Sequence, residues 1–131
     1  MLNPLILLVD DDADDLQFLK DGFDSCSFTA VAFFEDGFSL LNYLESLDDA
    51  LKYPALVISD FEMPKMDGKT LITKIREQQR YRLIDVVVLS TFNNEAYKKE
   101  SLHLGAKNYF VKPNTFSELA VLTKGFIKMV M

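Results

Sequence analysis

The chain has 131 residues, 49% of them apolar and 26% charged, and carries a net charge of −6. Such a composition gives one ordinary domain with a real core, and excludes both a disordered segment and a general nucleic-acid binder, which needs clustered Lys and Arg. No apolar run is long enough to cross a bilayer and no secretory leader is expected; the single Cys26 allows no internal disulfide, so a reducing cytoplasm is the expected compartment.

In chain order, Pro4 precedes a first strand, "LILLV" (5–9), which runs directly into five carboxylates: Asp10, Asp11, Asp12, Asp14 and Asp15. Two carboxylates about 4 Å apart at an effective dielectric near 20 repel by roughly 4 kcal/mol, so the crowding needs a reason. A helical pattern follows in "DDLQFLKDGF" (14–23), for which Asp12, Asp14 and Asp15 read as cap and first-turn charge. "FTAVAFF" (28–34) reads as a second strand. Asp36 then starts the helix "GFSLLNYLESL" (37–47), and Glu45, Asp48 and Asp49 form its solvated end.

Pro54 precedes a third strand, "ALVIS" (55–59), ending at Asp60, and "KTLITKIREQQ" (69–79) carries helical spacing. A fourth strand, "DVVVLS" (85–90), is followed by the helix "NEAYKKESLHLG" (94–105), where Gly105 is the stop and the only histidine, His103, suits the helix end. "KNYFV" (107–111) is the fifth strand, Lys112 and Pro113 follow it, and Ser117 lies at the start of the last helix, "TFSELAVLTKGFIKMV" (115–130). There Leu119, Leu122, Phe126 and Val130 share one stripe.

Five strands, each followed by a helix, imply an α/β fold of (βα)5 form: a doubly wound parallel five-stranded sheet, flavodoxin-like, in the order 2-1-3-4-5. The continuous apolar runs of the first, third and fourth strands fit strands covered on both faces. Ligands of such sheets bind beyond the carboxyl ends of the strands. That rule gathers Asp10–Asp12, Asp60, Ser90–Thr91 and Lys112 on one rim.

Asp10, Asp11 and Asp60 at that rim would repel unless a hard divalent cation joined them, and Mg²⁺ is served by few carboxylates plus waters. The EF-hand pattern fails, since Asp15 and Asp21 stand where that loop needs Gly and usually Glu. An anionic loop does not suit a flavin phosphate, and no GxxxxGK[ST] motif is present. Lys112 is drawn in as counter-charge and Ser90 offers a hydroxyl donor. With no His or Cys nucleophile at the rim, these are parts for making and holding an acyl phosphate.

"ILLVDDD", "LVISDFEMPKMDG", "VVVLST" and "GAKNYFVKP", in this order, resemble the receiver domain of the response regulators of two-component signalling, over essentially the whole chain. The resemblance implies a stand-alone receiver spanning 1–131. Asp60 would be the phosphoacceptor, taking its phosphoryl group from a phosphohistidine of a sensor histidine kinase or phosphotransfer protein. Asp11, Asp60 and the backbone carbonyl of Glu62 would ligate Mg²⁺ (or Mn²⁺), with Asp10 acting through a bridging water. Ser90 and Lys112 would each bind a phosphoryl oxygen, and Lys112–Pro113 would be cis.

Switching would run through Ser90, Thr91 and Tyr109. Phe92, Tyr97, Phe126 and the "GFIKMVM" tail are candidates for the face that meets a downstream protein. Thr91 departs from the small Ala or Gly common in the family, and Glu62 and Phe92 stand where the family tunes acyl-phosphate hydrolysis. The same resemblance implies no conventional enzyme activity, no direct nucleic-acid or membrane binding, and a monomer or weak dimer. Two other classes remain as competitors. One is a non-phosphorylated adaptor, against which the intact Asp10, Asp11, Asp60, Ser90 and Lys112 count. The other is a haloacid-dehalogenase-type phosphatase, whose DxD pattern fails at Asp14.

Overall fold

The three inner strands are apolar through their middles because helices cover them on both faces, with polar residues only at strand ends. The computed structural model describes residues 3–131. In chain order its elements are β1 (Ile6–Val9), α1 (Ala13–Ser25), β2 (Val31–Phe34), α2 (Gly37–Ser46), β3 (Leu56–Ser59), α3 (Gly68–Glu77), β4 (Asp85–Ser90), α4 (Glu95–Leu104), β5 (Asn108–Val111) and α5 (Phe116–Val130). Two short 3-10 turns, Ala50–Lys52 and Gln79–Tyr81, were not expected from the sequence.

All strand pairs are parallel and the sheet order is β2-β1-β3-β4-β5, the flavodoxin-like arrangement expected. Alternation along each strand divides the core. Leu7, Val9, Val57, Val86 and Val88 face Leu40, Leu44, Leu71, Ile72 and Ile75 of α2 and α3. Ile6, Leu8, Leu56, Ile58, Val87 and Leu89 face Leu19 and Phe23 of α1 and Leu119 and Phe126 of α5. Side-chain caps fix where the helices begin: Asp12, Asp36, Asp67, Asn94 and Thr115 each accept a backbone N–H of the following first turn. Gly105, at φ +116°, ends α4 as read, with His103 in its last turn.

Three expectations need correction. β2 starts at Val31 rather than Phe28. Ser27 takes a left-handed φ of 53°, the Phe28 N–H bonds to the Phe23 carbonyl, and the Phe28 ring packs on Phe23 instead of joining the ladder. No cis peptide bond occurs among the described residues, so Lys112–Pro113 is trans; the Lys112 N–H extends the sheet by bonding the Ser90 carbonyl at 2.7 Å. Phe126 is a core residue, 1% exposed against the edge of Phe110, and is no part of an outer face.

Candidate functional site

β1 and β3 lie side by side, with Val9 opposite Ser59, so the next residue on each strand emerges at the same level. That register brings Asp10 and Asp60 together. One carboxylate oxygen from each of Asp10, Asp11 and Asp60 lies within 4.8 Å of the others. Asp10 and Asp60 are buried, whereas Asp11 is exposed. A buried pair with a third acid at the mouth, all hard oxygen donors, is a fitting set for a small divalent cation.

The sheet delivers the counter-charge from its other side. Lys112 leaves the end of β5 and its Nζ lies 2.6 Å from Asp10 Oδ2, 2.8 Å from Asp15 Oδ2 and 3.2 Å from Asp60 Oδ2. The remaining oxygens are held by backbone: the Asp12 N–H donates to Asp10 Oδ1 and the Phe61 N–H to Asp60 Oδ1. Asp15 is therefore part of the site, although its sequence position suggested only first-turn helix charge.

Protonation follows from this crowding. Burial raises the Asp60 pKa first and the field of Asp10 raises it further; Lys112 and the Phe61 N–H oppose them, leaving it at about 6. Asp10 is also raised, chiefly by burial, against the bonds from Lys112 and the Asp12 N–H. Burial alone would lower the Lys112 pKa, but hydrogen bonds to Asp10 and Asp15, with the field of Asp60, outweigh it and push it upward. Lys112 is consequently a permanent cation among acids.

The β3–α3 loop closes tightly under Asp60. A Cβ on Gly68 would stand 2.4 Å from the Asp60 carbonyl oxygen, and the Gly68 N–H bonds the Phe61 carbonyl. Lys65 turns this loop with a left-handed φ of 68°. Glu62 is exposed, with its carboxylate accepting from the Tyr97 hydroxyl of α4. Tyr97 also stands edge-on to Phe61, with ring centroids 4.3 Å apart.

Ser90, at the end of β4, is buried, and its Oγ accepts the Phe92 N–H at 3.1 Å. Tyr109 is 8% exposed, and its hydroxyl donates to the Phe92 carbonyl at 2.5 Å. Phe92 is thus held at both its N–H and its carbonyl. Thr91 and Phe92 are exposed.

A doubly wound sheet with a carboxylate cluster and a lysine at the carboxyl ends of its strands defines a class, and comparison with known proteins names it. The chain belongs to the response regulator receiver domain family, whose family model matches residues 6–124. It is accordingly a receiver domain of two-component signalling, a class that binds divalent metal and meets histidine kinases or phosphotransfer proteins and downstream targets.

Chemotaxis protein CheY1 from Helicobacter pylori is 28% identical over 110 residues, covering 84% of this chain and 86% of that one. Among solved structures, response regulator RPA3017 in red light signaling of R. palustris is 26% identical with a TM-score of 0.85, covering 98% and 94%. The Mn(2+)-bound form of response regulator Rcp1 is 25% identical with a TM-score of 0.76, covering 92% and 89%. Other relatives are much longer: the chain spans 12% of a sensor histidine kinase that it matches. Among the described residues no helix is long and apolar enough to cross a membrane.

Proposed function

We propose that this domain is a phosphoacceptor switch in which Asp60 takes a phosphoryl group from a phosphohistidine of a sensor histidine kinase or phosphotransfer protein. The observation that carries the reading is the placement of Asp60: a buried carboxylate clustered with Asp10 and Asp11 and with the Lys112 ammonium 3.2 Å away. Phosphoryl transfer asks mainly for positioning and charge neutralisation, and this rim supplies both.

Asp11 and Asp60, with the Glu62 backbone carbonyl, would hold Mg²⁺, and Asp10 would assist through a water. The Mn(2+)-bound state of Rcp1 supports a divalent ion in this type of pocket. When bound, the cation neutralises charge at the phosphoryl oxygens. Asp60 is the nucleophile, and its oxygen bonds to phosphorus as the bond to the donor breaks. Lys112 holds a phosphoryl oxygen. Ser90 turns its hydroxyl from the Phe92 N–H to the phosphoryl group, which frees the segment that Tyr109 grips at the Phe92 carbonyl. A shift of that segment changes the surface around Phe92 and α4, and so the affinity for a downstream protein. The domain acts in the cytoplasm and is no conventional enzyme, promoting only its own aspartyl phosphorylation and dephosphorylation.

Intact mass after incubation with acetyl phosphate and Mg²⁺ tests this directly. A single labile phosphoryl adduct in the wild type, absent in Asp60→Asn, is the expected result. No adduct from acetyl phosphate or from any phosphohistidine donor would sink the reading in favour of an adaptor. Turnover of phosphomonoesters abolished by Asp10→Asn would instead favour a phosphatase.

A further inference from the structure

Three carboxylates share the Lys112 ammonium, and they are not equivalent. Asp10 and Asp60 belong to the cation cluster, whereas Asp15 stands outside it. An ammonium has three protons, and the contacts at 2.6, 2.8 and 3.2 Å use them all. In the reaction proposed above, on which this inference rests, two of these partners change character. Asp10 comes to face a cation, and Asp60 becomes an acyl phosphate. Asp15 alone keeps its charge and its place.

We propose that Asp15 is the positioning residue for Lys112, anchoring the ammonium while Asp60 is loaded and aiming the released N–H at the phosphoryl oxygen. As the Asp60 oxygen bonds to phosphorus, the bond from phosphorus to the donor breaks, to the imidazole nitrogen of a phosphohistidine or the acyl oxygen of acetyl phosphate, and the leaving group departs with the bonding pair; no proton passes to or from Lys112. Asp60 thereby gives up its negative charge and its hold on Lys112 weakens, while the incoming phosphoryl oxygens attract the same proton. A lysine stem is flexible and its ammonium has no fixed fork, so direction comes from its partners. Without Asp15, both remaining partners change during the reaction and nothing constant sets that direction.

Helix α1 places Asp15 for this task. Asp12 accepts from the N–H groups of Asp14 and Asp15, which fixes the first turn. Asp15 then lies one and two turns before Leu19 and Phe23, both fully buried against the sheet, so its side chain falls on the inward stripe. Asp14 has the same charge and the same cap but is exposed. It provides a matched control for charge alone.

The test compares Asp15→Asn, Asp15→Glu and Asp14→Asn with the wild type, measuring phosphorylation by acetyl phosphate at saturating Mg²⁺ through intact mass. Asp15→Asn should load about tenfold more slowly than Asp14→Asn, the scale of one charge-assisted hydrogen bond. Asp15→Glu should recover part of the rate, since it restores the acceptor. The Lys112 ammonium ¹H–¹⁵N resonance should be lost in Asp15→Asn and kept in Asp14→Asn, a signature that a purely structural effect at the helix start would not produce. Equal rates for Asp15→Asn and Asp14→Asn, slowed or not, would overturn the positioning role. A wild type that takes no phosphoryl group would overturn the phosphoacceptor reading itself, so the two failures are distinct.

Discussion

Replacing Asp60 by Asn should stabilise the cation-free protein at neutral pH. Folding raises this carboxyl from 3.8 to about 6, through burial first and the field of Asp10 second. In the unfolded chain the same group ionises near its ordinary value of about 4. The folded state therefore holds its proton more tightly than the unfolded one, and stability falls as pH rises between about 4 and about 6 before levelling off. At about 1.36 kcal/mol per pKa unit, the rise corresponds to some 3 kcal/mol lost above about pH 7, reduced by whatever relaxation the site allows.

Asparagine keeps the shape and carries no charge at any pH, so it removes that loss. Urea unfolding in EDTA, followed by far-ultraviolet circular dichroism, reads the difference. Asp60→Asn should be more stable than the wild type by about 2–3 kcal/mol near neutrality and nearly equal to it at about pH 4. Millimolar Mg²⁺ should then raise the wild type toward the variant. A variant no more stable than the wild type at neutral pH, or an advantage independent of pH, would refute the reasoning.

Lys112→Met should do the opposite, because it leaves Asp10 and Asp60 buried without their cation; a loss of about 3–5 kcal/mol at neutral pH, shrinking on acidification, is expected in the same urea assay. Gly68→Ala forces the loop away from the Asp60 carbonyl, which a Cβ would meet at 2.4 Å. It should cost about 1–3 kcal/mol by urea unfolding and weaken Mg²⁺ binding by calorimetry, since Glu62 lies in the same loop. Tyr109→Phe keeps the ring but drops the bond to the Phe92 carbonyl, so a loss of about 1 kcal/mol is expected. Its amide exchange should quicken around Ser90 to Phe92, and uniform quickening would count against a local grip.

The sheet was legible because β1, β3 and β4 each carry a continuous apolar run, the pattern expected of strands covered on both faces. β2 was overextended for a local reason. "FTA" has strand composition, but Phe28 serves as a lid on Phe23 and its N–H closes the end of α1. Asp10, Asp60, Ser90 and Lys112 were legible from the rule that ligands gather at strand ends. Asp15 was not, although a signal existed: it is one turn before Leu19 on the buried stripe, and an acid on that stripe at the rim must meet a cation. Its partner lies 97 residues away, a separation that no local pattern reveals. The outward placing of Phe126 failed differently: its helix stripe is shared by Leu119, and both face the sheet. The cis Lys112–Pro113 bond rested on family resemblance alone, without any signal in the residues around it.

Charge counting explains why these residues are together. Ionised Asp10, Asp11, Asp15 and Asp60 against one Lys112 leave three net negative charges at the rim. A phosphoryl group brings nearly two more and cancels the one on Asp60, so loading a cation-free site would deepen the imbalance. With a divalent cation present, the loaded site carries about two net negative charges, against about four without it. The same repulsion that lifts Asp60 toward a pKa of about 6 is what a cation relieves, so apo-state instability and metal affinity arise from one source. Lys112 cannot replace the metal, because its single charge is already divided among three carboxylates.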